Sequence, residues 1–395
     1  MIAAADLERR LEGLRSVGAR EGGAFRLAWT PEDAAAGEWF AAQAQESGLA
    51  VERDPAGNLW ALPDSPPPWW GVGSHLDSVR GGGRYDGALG VVAAFEVAAR
   101  CTDPIAVIAF ADEEGARFNT PTFGSRALAG RLDVGDALAR RDDDGVSLAE
   151  AMERAGVDPA GLARAPERLS ALRGFLELHI DQGRELARAG APAGVARSLA
   201  SRLRLRAELR GRADHAGTTP PQERRDALAA AARLIVRAGE LGADPGLHVT
   251  TARIACEPNA ATTIPARVSL WIDARSPRAE QVVAWRERLE AAAGEIAQAG
   301  GVELELRTEA GSEGVEFDRA VRAALGGACA SLGIPAPEMV SYAGHDAGVL
   351  AERLPAGMLF VRNETGVSHS PLEDVEMADA AFAAEALLRA LAELA

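Results

Sequence analysis

The sequence predicts an α/β fold in which a mixed sheet covered by helices is interrupted by a second, smaller α+β domain. Three observations predict it. Between residues 69 and 118 a buried strand, a buried helix and another buried strand follow one another, the order of a parallel or mixed sheet with helices packed on it. Near residue 200 the texture changes to alternating strands and amphipathic helices, and from Gly314 onward the mixed texture returns. The chain therefore divides into a first domain at 1–200, an inserted domain at 201–312 and the remainder of the first domain at 313–395.

Each element has its own warrant. "TPEDAAAGEWFAAQAQESG" places Thr30 at an N-cap, Pro31 at the first helical position and acids in the first turn, and it closes at Gly48, so it predicts a helix. "AVERDPAGNLWAL" predicts a hairpin around Pro55 to Asn58, and "PDSPPPWW" a loop. "WWGVGSHLDS" predicts a short buried strand, and "GALGVVAAFEVAARC" a buried helix. "IAVIAFADEEGARF" then runs an apolar strand straight into Asp112, Glu113 and Glu114. In parallel and mixed sheets functional groups gather at the carboxyl ends of strands, and His75, Asp77 and these three acids all stand at such ends. In the inserted domain, "RLRLRAELRGRADHAG", "RVSLWIDAR" and "VELELRTEA" alternate as strands, while "RRDALAAAARLIVRAGEL" and "AEQVVAWRERLEAAAGEIAQAG" have helical spacing.

Composition bounds the function. A chain of 395 residues that is 47% hydrophobic supports two or three domains with cores of their own. Acids outnumber bases by 58 to 42, for a formal charge of −16, which argues against nucleic acid or an anionic membrane as partner. The three cysteines, Cys101, Cys256 and Cys329, have no CxxC spacing, so neither a disulfide framework nor a zinc ribbon is indicated. With no apolar leader and no run approaching the roughly 18 apolar residues of a membrane span, the expectation is a soluble cytoplasmic protein.

Six histidines allow an audit of each. His75 is followed two residues later by Asp77, whose carboxylate can accept the second ring N–H and fix the tautomer of a metal-bound imidazole; the bland alternative is a capped strand end. Asp86 follows three glycines, where a turn aspartate is common. Glu113 and Glu114 leave a strand in different directions, so one can ligate a cation while its neighbour faces substrate as a base. His179 ends another apolar segment beside Asp181 and Gln182, and His369 lies in a Gly/Ser/Pro loop; alone, each is more often structural. Together His75, Asp86, Glu114, His179 and His369 form an N/O ligand set without thiolate, suited to Zn²⁺, Mn²⁺ or a similar divalent ion. His215 sits in a Gly-flanked loop, and Arg275, just past a strand, can fork onto a carboxylate. His248 suggests no function.

"GSHLDS", "YDGALGV", "DEEGARF", "HIDQG", "HAGTTP", "IDAR", "AGHDA" and "GVSHSPLED" occur here in an order that resembles the peptidase M20 superfamily, most closely its hydantoinase/carbamoylase branch. The resemblance runs over essentially the whole chain. It implies a metallo-exopeptidase-like catalytic domain with an inserted ferredoxin-like dimerisation and lid domain. It further implies two divalent ions per subunit, Zn²⁺ or Mn²⁺ with Co²⁺ or Ni²⁺ as further candidates: His75, Asp86 and His179 on one, and Asp86, Glu114 and His369 on the other. Glu113 would be the general base, His215 the oxyanion donor reaching across from the partner subunit of a homodimer, Gln182 a contact to the ureido or amide group and Arg275 the receiver of the substrate carboxylate. Where the branch reads asparagine this chain has Thr262, a shorter hydrogen-bonding partner for that carboxylate.

The implied reaction is hydrolysis of the ureido C–N bond of a small carboxylate, an N-carbamoyl-L-amino acid or allantoate, with release of ammonia. An aminoacylase or dipeptidase of the wider superfamily is the nearest alternative. A catalytically silent dimeric binding protein of the same fold is the alternative of a different class. His345 and Asp346 belong to the resembling pattern without a physical role that the sequence supplies.

Overall fold

The computed structural model describes residues 1–394. The chain forms two compact units, one comprising Met1–Arg197, Glu316–Met339 and Ala343–Ala395, the other Ser198–Val315 together with Val340–Tyr342.

The first unit is built on a mixed sheet. Its strands are β1 (Ala50–Arg53), β2 (Leu59–Leu62), β3 (Trp69–His75), β4 (Ile105–Phe110), β5 (Leu172–Ile180), β6 (Ala193–Leu199), and, after the inserted segment, β11 (Val315–Glu316), β12 (Glu338–Ser341) and β13 (Ala356–Val361), of which Ser198–Leu199, Val315 and Val340–Ser341 at the ends of β6, β11 and β12 count with the second unit. They lie in the order β11-β6-β13-β5-β3-β4-β2-β1, with β12 paired to β6. The four central strands, β13, β5, β3 and β4, are mutually parallel, and β6, β2 and β1 extend the sheet antiparallel. The β1–β2 hairpin falls where the sequence predicts it.

The central strands are buried along their whole length, apart from Arg173, because helices cover the sheet. Helices α1 (Ala4–Arg15), α2 (Pro31–Glu46), α3 (Ala88–Ala98), α6 (Arg319–Ser331) and α8 (Met377–Leu394) share one hydrophobic core with it, and a short α7 (Asp346–Leu350) stands between the last two in sequence. The predicted N-cap holds: the Thr30 side chain accepts from the Asp33 N–H. Helix α3 approaches the sheet so closely that a Cβ on Gly90 would lie 2.2 Å from the Leu178 carbonyl oxygen, so only glycine permits that packing. A second core, around Trp29, Phe123, Leu148 and Met152, joins the segment before α2 to the loops and short helices that follow β4.

The second unit is a four-stranded antiparallel sheet of β7 (Ser201–Arg210), β8 (His248–Glu257), β9 (Arg267–Ser276) and β10 (Glu303–Ser312), in the order β8-β9-β7-β10. Helices α4 (Ala227–Leu241) and α5 (Ala279–Gly300) pack on it around Leu205, Ile272 and Trp285. This is the βαββαβ succession of a ferredoxin-like domain. It contains one strand more than the alternating segments predicted: β8, "HVTTARIACE", is an edge strand with little burial on either face, so it carries no clear period-2 signal. Between residues 198 and 315 sixteen arginines meet sixteen acids, so the whole formal charge of −16 resides on the first unit.

Candidate metal centre

Five segments converge at the carboxyl ends of the parallel strands. β3 ends on His75, β4 runs into Glu113 and Glu114, and β5 brings His179 opposite Phe360 of β13. Asp86 stands just before α3, and His369 comes from the loop between β13 and α8. The candidate ligand atoms of His75, Asp86 and His179 lie within 4.8 Å of one another, and so do those of Asp86, Glu114 and His369. Asp86 belongs to both triads, with one carboxylate oxygen toward each: Oδ1 is 3.4 Å from His75 Nε2 and 3.1 Å from His179 Nε2, and Oδ2 is 3.8 Å from His369 Nε2. Glu114 Oε2 is 3.3 Å from His369 Nε2, and Glu113 Oε2 is 3.8 Å from His75 Nε2.

The hydrogen bonds fix which ring nitrogens face this space. His75 Nδ1 lies 3.1 Å from the Asp77 backbone carbonyl and His179 Nδ1 lies 3.0 Å from the Ile180 carbonyl, so in each neutral imidazole Nδ1 carries the proton and Nε2 a lone pair. Both lone pairs then confront a carboxylate oxygen. His75 Nε2 is buried without a hydrogen-bond partner. Two acceptors face to face in a buried site are repulsive unless a proton or a cation lies between them, and an N/O donor set of this kind suits Zn²⁺, Mn²⁺ and similar divalent ions.

The electrostatics agree with that fit. Burial disfavours charge on Asp86, but the imidazoles of His179 and His75 outweigh it and hold the carboxyl well below its ordinary range. His179 is depressed by burial and raised more strongly by Asp86, to about 9. Glu113 is pushed well above the usual carboxylate range by burial and by the charges of Asp346, Glu114 and Asp77, and Glu114 rises to about 8 through burial and Asp86. Negative charge here is crowded and out of water, the condition a multivalent cation relieves.

Asp77 departs from expectation. Its carboxylate is 3.6 Å from His75 Nδ1, and the backbone carbonyl is the nearer acceptor. The carboxylate instead accepts the Glu113 N–H on Oδ1 and the Glu114 N–H on Oδ2, each at 3.1 Å. Asp77 thus sets the backbone from which base and ligand project. The residue before them, Asp112, has φ +50°, and His369 has φ +56°; both are non-glycine residues in the left-handed region, held there by their surroundings.

Sequence reasoning missed Glu373. This buried carboxylate accepts from the backbone N–H groups of Tyr85 and Asp86 through Oε2 and from that of His369 through Oε1, tying two candidate ligands together. A Cβ on Gly83 would lie 1.7 Å from its Oε2, which explains the last glycine of the run ahead of Asp86. Its only sequence signal is an acid four residues after His369. Gln182, expected at the substrate, donates from Nε2 to Asp86 Oδ2 at 3.0 Å, where Ser368 Oγ also donates at 2.9 Å. His345 is buried edge-to-face against His179, ring centroids 4.6 Å apart, and Asp346 accepts from Ser125 Oγ. Both pack beside the cluster.

In the second unit the structure brings two of the three remaining residues together. Asp214–His215 pairs with Thr263–Ile264, and the Ala216 N–H donates to the Thr262 carbonyl at 3.0 Å. His215 is exposed, and its Nδ1 accepts from the Gly217 and Thr218 N–H groups at 3.0 and 3.1 Å, leaving Nε2 as the protonated, outward donor. Arg275 stands elsewhere. It lies near the far end of β9 from Thr262, and eight residues of strand separate it from Arg267 by about 27 Å.

The chain matches the profile of peptidase family M20/M25/M40 over residues 62–393. It belongs to that family. Among M20 relatives it is 39% identical to the N-carbamoyl-L-amino acid amidohydrolase of Geobacillus stearothermophilus, covering 100% of this chain and 99% of that one. It is 35% identical to the allantoate amidohydrolase of Bacillus subtilis, covering 92% and 91%. Its fold resembles the crystal structure of a hydantoinase/carbamoylase family amidase from Burkholderia vietnamiensis with a TM-score of 0.88 at 30% identity, covering 99% of this chain and 97% of that one. M20 membership accounts for the mixed α/β fold. Among the described residues no helix is long and apolar enough to cross a membrane.

Proposed function

We propose that this M20 hydrolase acts on a C–N bond other than a peptide bond, cleaving the ureido group of a small carboxylate, an N-carbamoyl-L-amino acid or allantoate, with two divalent ions held at Asp86. One observation carries the reading: two ligand triads share Asp86 while Glu113, outside both, stands beside them. The names of its relatives supply the substrate class. His75, Asp86 and His179 would hold one ion, and Asp86, Glu114 and His369 the other.

When bound, such ions acidify water and polarise a carbonyl. The rest falls to side chains. Glu113, its backbone fixed by Asp77, takes a proton from the attacking water and returns it to the departing nitrogen. With an N-carbamoyl substrate the products are the amino acid, carbon dioxide and ammonia. The Nε2–H of His215 donates to the developing oxyanion, an interaction whose loss costs about 100-fold or more in rate.

The roughly 27 Å between the two ends of β9 bears on assembly. Within one inserted unit His215 stands by Thr263, ahead of the Arg267 end of β9, while Arg275 stands near the other end of that strand. This supports a homodimer in which His215 and Thr262 serve the substrate that Arg275 of the other copy receives.

Ammonia release measured side by side from allantoate and a series of N-carbamoyl-L-amino acids tests the substrate, and metal analysis of protein purified without chelator tests the ions, with about two per chain expected. Glu113→Gln should lower turnover at least about 1000-fold while leaving metal content unchanged. A Glu113→Gln enzyme of near-normal rate removes the base assignment, and metal-free active protein removes the ions.

A further inference from the structure

His248, without a role in the sequence, lies in the second unit directly across from Arg275, because β8 and β9 pair in that register. Its exposed imidazole stacks on the ring of Tyr342, centroids 4.1 Å apart and planes 16° from parallel. The Tyr342 hydroxyl donates to the Gly246 carbonyl at 3.1 Å. Tyr342 belongs to the short segment Val340–Tyr342, which packs with this unit although the sequence on either side of it belongs to the other. The backbone carbonyl so delivered accepts from Arg275 Nη1 at 2.5 Å. From another direction Asp273 Oδ1 accepts from Arg275 Nε at 2.6 Å, while Asp273 Oδ2 accepts from Arg202 Nε at 3.0 Å and Arg204 Nη2 at 3.3 Å.

We propose that Asp273, Tyr342 and His248 are positioning residues that hold the Arg275 guanidinium in one orientation for an incoming carboxylate. The proposal rests on the reading of Arg275 as the receiver of the substrate carboxylate. Two of the five guanidinium N–H groups are engaged, so three remain for a carboxylate, both of those on Nη2 among them. An arginine ordered before binding does not lose its rotamer freedom on binding, so the arrangement lowers KM through preorganisation rather than through a further contact. Asp273 takes the Nε edge out of use and is itself fixed by two more arginines. The Tyr342 carbonyl fixes the other side. The His248 stack and the Gly246 bond keep the Tyr342 ring, and with it that carbonyl, in place.

The test compares N-carbamoyl-L-methionine and allantoate, which carry a carboxylate, with N-carbamoyl-L-methionine amide, which lacks it. For Tyr342→Ala and Asp273→Asn, KM for the acids should rise about tenfold or more, and for His248→Ala about threefold, with kcat within threefold of wild type and KM for the amide unchanged. Equal losses on acid and amide, or an unchanged KM for the acids in all three variants, overturn the proposal. His248 is exposed, so its variant keeps the test alive where Asp273→Asn fails to fold. Arg275→Met separates the two levels. If it leaves the preference for acid over amide intact, the reading of Arg275 fails; if it erases that preference while the other three variants retain it, only the positioning role fails.

Discussion

Asp77 shows how much one side chain can decide at the residue scale. With both oxygens committed to the N–H groups of Glu113 and Glu114, it cannot be replaced by an amide without turning one acceptor into a donor facing a donor. Asp77→Asn should therefore weaken metal binding or activity about 10- to 100-fold, the usual scale for groups that support ligands, and metal titration of the variant reads it directly. Asp33 offers a pH test away from the cluster. Burial, and then the charge of Asp77, lift its carboxyl to about 7. The unfolded chain releases that proton near pH 4 while the folded chain keeps it to about 7, so stability from this group is full below about 4 and is lost as pH rises through 7. Asn at this position stays neutral and can still accept the Trp29 N–H that Asp33 takes at 2.8 Å. Urea denaturation should find Asp33→Asn more stable than wild type at pH 8 and no more stable at pH 4. The cluster acids themselves were legible because they stand together at a strand end, whereas Glu373 was not: its partners Tyr85 and Asp86 lie nearly three hundred positions away, and only the fold relates them.

Among the elements, legibility followed burial. β3, β4 and α3 are apolar nearly throughout and could be placed from sequence alone, while β8 is exposed on both faces and was passed over. The junction of β3 with α3 carries the sharpest constraint. Gly87 has φ +63°, and a Cβ there would come within 2.4 Å of the His75 ring. Gly87→Ala must therefore both strain the turn and displace a candidate ligand. The expected outcome is a loss of bound metal together with a lower melting temperature, checked by metal analysis and calorimetry on the same sample. Gly90→Ala, which meets the Leu178 carbonyl at 2.2 Å, is the control for packing: it should destabilise without selectively weakening metal affinity.

For the whole molecule, charge is distributed unevenly: the −16 lies on the first unit, and within it Asp86, Glu113 and Glu114 are drawn out of water around one space. Bound cations should therefore act as part of the fold. Chelation should lower the melting temperature of the first unit and readdition of Zn²⁺ or Mn²⁺ should restore it, since a ligand at about 100 times its dissociation constant adds about 2.7 kcal/mol. A melting curve indifferent to chelator would count against the cluster as an ion site. The parallel centre of the sheet has a further consequence during synthesis. β13 comes after the whole inserted segment in sequence, yet it lies between β6 and β5. While the ribosome is still extending the chain, the nascent sheet stands open along that seam, so the strands made before the inserted segment cannot close into their final sheet and must wait, exposed to chaperones and to aggregation, for one made after it.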